Sequence, residues 1–164
     1  MERAACEGCP FAFCVVSEEI VRNYSYLRGM KQHLVLHNDI REIPELAALV
    51  DRIAEAGSLD PTLALNLNLA LEEAVSNVMM YAYPKGTCGT VEVLAEQAPD
   101  RVRFTVIDAG IPFDPTVMPD ADISLDVSDR PIGGLGIFLV RKIMDAVTYE
   151  RREGKNILVM QKKI

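Results

Sequence analysis

Glu73 and Asn77 stand four residues apart in EEAVSN, within a segment whose apolar residues recur at helical spacing, so their side chains share one helix face. Asn66, Ala70 and Tyr81 extend that face, while Leu63, Leu67, Leu71, Ala74 and Val78 mark another. A purely solvated stripe would carry long charged side chains such as Lys. Small Asn and Ala beside a single glutamate suit a wall that faces a ligand, although a surface or locally hydrogen-bonded pair is the plainer account. Asp108 stands where the β-rich run RVRFTVID stops, with Gly110 two residues on and Pro112 and Pro115 barring further strand. A carboxylate at a strand end beside a glycine can accept a hydrogen bond from an exocyclic amine such as adenine's. A turn-forming Asx residue is the plainer alternative. Gly133, Gly134 and Gly136 crowd the start of an apolar segment, residues 137–144, that reads as a helix. Exposed N–H groups and the helix dipole favour an anion there, so polyphosphate could bind. The spacing is neither a P-loop nor a dinucleotide fingerprint, and glycines also permit close helix packing.

The elements that must hold these residues alternate without a repeat. Leu34 and Leu36 alternate with His33, Val35 and His37, a strand with two unlike faces that closes at Asn38 and Asp39. The histidines read as plain strand residues. IPELAALVDRIAEAG, with Pro44 in its first turn and Gly57 as its stop, is an amphipathic helix. Asp60 and Pro61 open the long helix that bears Glu73 and Asn77, about six turns reaching toward Pro84. VEVLAEQ and RVRFTVID form a hairpin across APD, and AVTYERR and KNILVMQKKI another across Glu153 and Gly154. Between them, residues 114–132 are rich in Asp and Pro and read as a loop or lid.

Composition narrows the function classes. The 164 residues, 49% of them hydrophobic, suffice for one folded domain with a real core. A formal net charge of -7 argues against direct nucleic-acid binding, which concentrates Lys and Arg. No apolar run approaches the roughly 20 residues of a membrane span. Residues 1–29 form an N-terminal extension of unassigned role. Its apolar centre is short, follows Glu7 and lacks a small-x-small cleavage site, so no signal peptide is expected. Met30 is an alternative start. Cys6 and Cys9 form a Cys-x-x-Cys pair, but with only Cys14 and the distant Cys88 to add, reduced structural thiols are expected rather than a metal site.

Taken in order, EAVSN at 73–77, DAGIPFDP at 108–115 and GGLGIFLV at 133–140 resemble the GHKL (Bergerat-fold) ATPases, and within those the anti-sigma regulatory factor serine/threonine kinases. The resemblance covers roughly residues 30–164, taken as the histidine-kinase-like ATPase domain. It implies an α+β fold, a two-layer α/β sandwich with a mixed, mainly antiparallel sheet, binding ATP between the long helix and the glycine-rich segment. Asn77 matches the family's Mg2+-binding asparagine, Glu73 its general base, and Asp108 with Gly110 its adenine site. Gly133, Gly134 and Gly136 match its phosphate loop. Arg130 is a candidate partner for the terminal phosphate or a docked protein, or else a solvated lid charge. The implied activity is that of a cytoplasmic protein kinase in a partner-switching module. Such a kinase sequesters a sigma factor, phosphorylates a serine or threonine of a small antagonist (anti-anti-sigma) protein, and forms a homodimer. A nucleotide-gated sequestering protein without phosphotransfer, or an ATP hydrolase, are the rival outcomes.

Overall fold

The computed structural model describes residues 30–117 and 134–164. Strand β1 (Met30–His37) turns Leu36 into the core and leaves Val35 52% exposed, the two-faced pattern its alternation dictates. His33 lies 3.5 Å from the Glu92 carboxylate, and His37 pairs through Nδ1 with Glu42 at 3.0 Å. Helix α1 (Pro44–Gly57) buries Leu46, Leu49, Val50 and Ile53. Its left-handed terminal residue is Ser58, with φ at 49°, not Gly57. Gly57 is the last helical residue, and its bare Cα faces Gln97, whose Nε2 would stand 3.0 Å from an added Cβ.

Helix α2 (Pro61–Asn77) starts as its sequence specifies. Pro61 occupies the first turn, and the Asp60 carboxylate accepts from the N–H groups of Thr62 and Leu63 at 2.9 and 3.2 Å. Immediately after Asn77 the ladder widens into a π-helical turn, Val78–Ala82, and the chain leaves helical geometry at Tyr83. The long helix is therefore α-helical for most of its length and π-wound at the end. Its polar face is narrower than the spacing suggests: Ala70 is fully buried in the core. Because α2 packs against both α1 and the helix that follows the first hairpin, its buried arc takes in Ala70 as well as Leu67, Leu71, Ala74 and Val75. Asn66 and Tyr81 face solvent, leaving Glu73 and Asn77 as the half-buried polar pair.

Strands β2 (Thr90–Ala98) and β3 (Arg101–Asp108) form the first hairpin, helix α3 (Gly134–Ile143) follows, and β4 (Ala146–Arg152) and β5 (Lys155–Lys163) form the second. Glu153 and Gly154 both take positive φ, 51° and 78°, the signature of a type I′ two-residue turn. The sheet order is β1-β2-β3-β5-β4, and each of its four pairings is antiparallel. The three helices of the described residues cover one face. Val91, Val93, Ala95, Val102, Phe104, Val106 and Met160 project into that layer, with Phe104 the bulkiest fully buried side chain. The result is the expected two-layer α+β sandwich.

Candidate functional site

A cleft enclosing about 620 Å³ of space open to solvent lies between the second halves of α2 and α3 and the helix-facing side of β3, β4 and β5. Its walls are mostly apolar, including Val78, Val106, Ile137, Val140 and Leu158, with Asn77 and Asp108 among the few polar side chains.

Asp108 closes one end. It is the last residue of β3 and 5% exposed. Its Oδ1 accepts from Asn156 Nδ2 and from the Gly110 backbone N–H, both at 2.8 Å. Its Oδ2 accepts from no described residue, which leaves an available acceptor at the edge of an apolar cleft. Burial raises this carboxyl above the usual carboxylate value, against the opposing pull of the Asn156 and Gly110 bonds and the Arg151 guanidinium. Asn156 lies directly across the β3/β5 ladder from Asp108. It also donates to the Ile111 carbonyl at 2.9 Å, and its Oδ1 accepts from Tyr149 Oη at 2.8 Å and Arg151 Nη1 at 2.6 Å. Both amide donors and both lone pairs of Asn156 are thus engaged, so it fixes which Asp108 oxygen is left over.

Gly110 is required by the backbone behind it. A Cβ there would strike the Ala82 carbonyl at the end of the π-helical turn, the same carbonyl that accepts from Ile111 N at 2.9 Å. Tyr83 completes the joint, accepting from Ala109 N at 3.1 Å and donating to the Thr90 carbonyl at 2.7 Å.

At the other end, Glu73 and Asn77 meet the start of α3. A Cβ on Gly136 would overlap Glu73 Oε2 and stand 3.6 Å from Asn77 Nδ2, so the glycine lets the helix backbone come up against this pair. The Glu73 carboxylate makes no hydrogen bond or ion pair with a described residue. Helix α3 begins at Gly134, three residues earlier than the apolar pattern indicates, so Gly134 and Gly136 sit in its first turn. The N–H groups of that turn have no acceptor within the helix. Gly133, Arg130 and the lid segment from residue 118 onward lie outside the described residues.

Three polar cleft residues escape the sequence pattern: Asn156, Tyr149 and Arg141. Arg141, on α3, donates through Nη2 to the Thr116 carbonyl. Thr116 in turn is tied to Asp114 Oδ1 through its N–H at 2.8 Å and its hydroxyl at 2.6 Å. A lone Asn among the apolar residues of KNILVMQKKI is the one visible signal for Asn156; the other two carry none.

Among the described residues no group of three or more His, Cys, Asp or Glu side chains could cage a metal. A Mg2+ ion shared with phosphates needs fewer protein ligands, and the amide oxygen of Asn77 is a donor of the type it takes. Cys88 is exposed; the other cysteines lie outside the described residues.

The cleft thus pairs an available carboxylate oxygen at one end with helix N–H groups, a carboxylate and an amide near the other. Residues 36–162 match the histidine kinase-like ATPase domain, and the chain belongs to that family. Among its relatives is the serine/threonine-protein kinase BtrW of Bordetella bronchiseptica, 28% identical over 68% of this chain and 78% of that protein. The serine-protein kinase RsbW of Bacillus cereus is 30% identical over 57% of this chain, and the alignment spans 61% of RsbW, less than two thirds of its length. A solved histidine kinase domain, from the Erythrobacter litoralis EL346 blue-light activated histidine kinase, superposes with a TM-score of 0.48 at 17% identity, covering 75% of this chain and 59% of that one. Among the described residues no helix is long and apolar enough to cross a membrane.

Proposed function

We propose that this chain binds Mg-ATP in the cleft and transfers the terminal phosphoryl group to a serine or threonine of a partner protein, as a kinase of a partner-switching module that also sequesters a sigma factor. The observation that carries the reading is the pairing of Asp108, whose Oδ2 is available, with Asn77 in one cleft, and of Asn77 with Glu73 against the start of α3 at Gly136. Asp108 Oδ2 accepts the adenine amine. The first-turn N–H groups of α3, at Gly134 and Gly136, receive phosphate oxygens, with Gly133 and Arg130 as further candidates on the same side. Asn77 supplies one oxygen to Mg2+, which when bound offsets phosphate charge. Glu73 accepts the proton of the attacking hydroxyl as its oxygen bonds to phosphorus and the bond to the ADP leaving group breaks. A carboxylate with no described partner suits that role, because nothing must be broken to release it.

The names of the relatives as serine/threonine and serine kinases support the phosphotransfer reading. The test mixes the purified chain with ATP labelled in its terminal phosphate and a candidate small antagonist protein. Label on the antagonist is the expected result. Free phosphate would identify a hydrolase, and neither product a binding module. Glu73→Gln is expected to abolish transfer while ATP affinity stays within about threefold of wild type, since only the proton acceptor is lost. Full transfer by this variant would remove Glu73 from the mechanism.

A further inference from the structure

The cleft has one cationic side chain among the described residues that line it, Arg141. It lies about 8 Å along the α3 axis from Gly136, so one extended ligand can touch both the helix start and the guanidinium. Its surroundings make the charge conspicuous. Ile137, Val140 and Phe113 share the same wall, and the chain as a whole is acidic, with a formal net charge of -7. The guanidinium reaches across the cleft mouth to the Thr116 carbonyl, whose turn is pinned by Asp114. A phosphate seated in the cleft would match both the charge and the planar fork of donors of a guanidinium.

We infer that Arg141 is the cleft's phosphate-recognition residue, contacting the nucleotide's phosphate chain and coupling its presence to the turn at 114–117 through the Thr116 carbonyl. The inference rests on the nucleotide reading above and extends it to a residue with no part in the sequence motifs. Arg130 is the cation the sequence points to; Arg141 is the one the described cleft contains.

The experiment is calorimetric titration of the full chain with adenosine and with ADP at constant Mg2+, for wild type, Arg141→Gln, Arg141→Lys and Lys142→Gln. Lys142 is the neighbouring cation, exposed and outside the cleft, with its ammonium 5.3 Å from the Phe138 ring. Arg141→Gln is expected to cut the preference for ADP over adenosine by about tenfold or more, the scale of a lost charge-assisted hydrogen bond. Arg141→Lys should restore part of that preference, and Lys142→Gln should leave it as in wild type. Arg141→Met makes the same test should the glutamine variant misfold. An unchanged preference in Arg141→Gln overturns the inference. So does equal weakening of adenosine and ADP, which would make Arg141 only a tie for Thr116, and so does an equal loss in Lys142→Gln, which would reduce the effect to the general field. A wild type that binds neither ligand refutes the nucleotide reading itself, a result distinct from all of these.

Discussion

Asp108→Asn separates what the cleft needs for a ligand from what it needs for folding. The amide can keep both contacts of the original Oδ1, since its own oxygen accepts from Asn156 Nδ2 and Gly110 N, 2.8 Å each in the native protein. The other atom changes from an available acceptor into a donor. An adenine amine presented to it loses a charge-assisted hydrogen bond worth roughly 1.5–3 kcal/mol and meets a second donor instead. A total of about 2–4 kcal/mol corresponds to a loss of about 30- to 1000-fold in ATP affinity. Stability should move the other way. Because burial raises the Asp108 carboxyl, the folded chain holds that proton more tightly than the unfolded chain does. The stability linked to this group therefore falls as pH rises from the ordinary carboxylate value through the raised one, and the full penalty is present at neutral pH. Asparagine has no charge to desolvate, and Arg151, the nearby cation, remains exposed to water. The variant should melt at or above the wild-type temperature at pH 7, with the difference shrinking as pH falls toward about 4 and the native carboxyl protonates. Titration calorimetry with ATP and thermal melts at both pH values make the measurement. ATP binding within about threefold of wild type would refute the adenine assignment, because no lost acceptor is that inexpensive; a much lower melting temperature at pH 7 would refute the account of burial.

The two site glycines should respond oppositely to alanine. At Gly110 the added Cβ meets the Ala82 backbone carbonyl, which cannot swing aside, so Gly110→Ala should lose about 2–4 kcal/mol in urea denaturation. At Gly136 the Cβ meets the tip of the Glu73 side chain, which can turn away. Gly136→Ala should therefore stay within about 1 kcal/mol of wild-type stability, yet displacing the proposed base should slow phosphotransfer about 100-fold in the labelled-ATP assay.

Much of this fold is legible in local chemistry. Asp60 and Pro61 signal a helix start by side-chain capping and a fixed φ, and Glu153–Gly154 signals a tight hairpin by tolerance of positive φ; both are properties of neighbouring residues. Asp108 is visible because prolines and a glycine end its strand. Asn156 is not, because its meaning depends on the register that sets it opposite Asp108, 48 positions away, and no local period encodes that pairing. Ala70 falls on the wrong side of the helix for a related reason: helical spacing defines faces, while the width of the buried one depends on how many neighbours the helix acquires. Gly110 is legible as a glycine needed for close approach, but the partner it approaches in the fold is the Ala82 carbonyl. Arg141 carries no signal at all, since an arginine in the last turn of an amphipathic helix is ordinary until a cleft forms beside it.

The strand order makes the cleft a junction between two hairpins. The β2–β3 and β4–β5 hairpins each close over a few residues, whereas the pairing of β3 with β5 joins positions distant in the chain. The Asp108–Asn156 bond crosses that non-local seam. A molecule seated on Asp108 and on α3 together would bridge the seam, so its binding energy would act as a clasp on the junction, slowing local opening there.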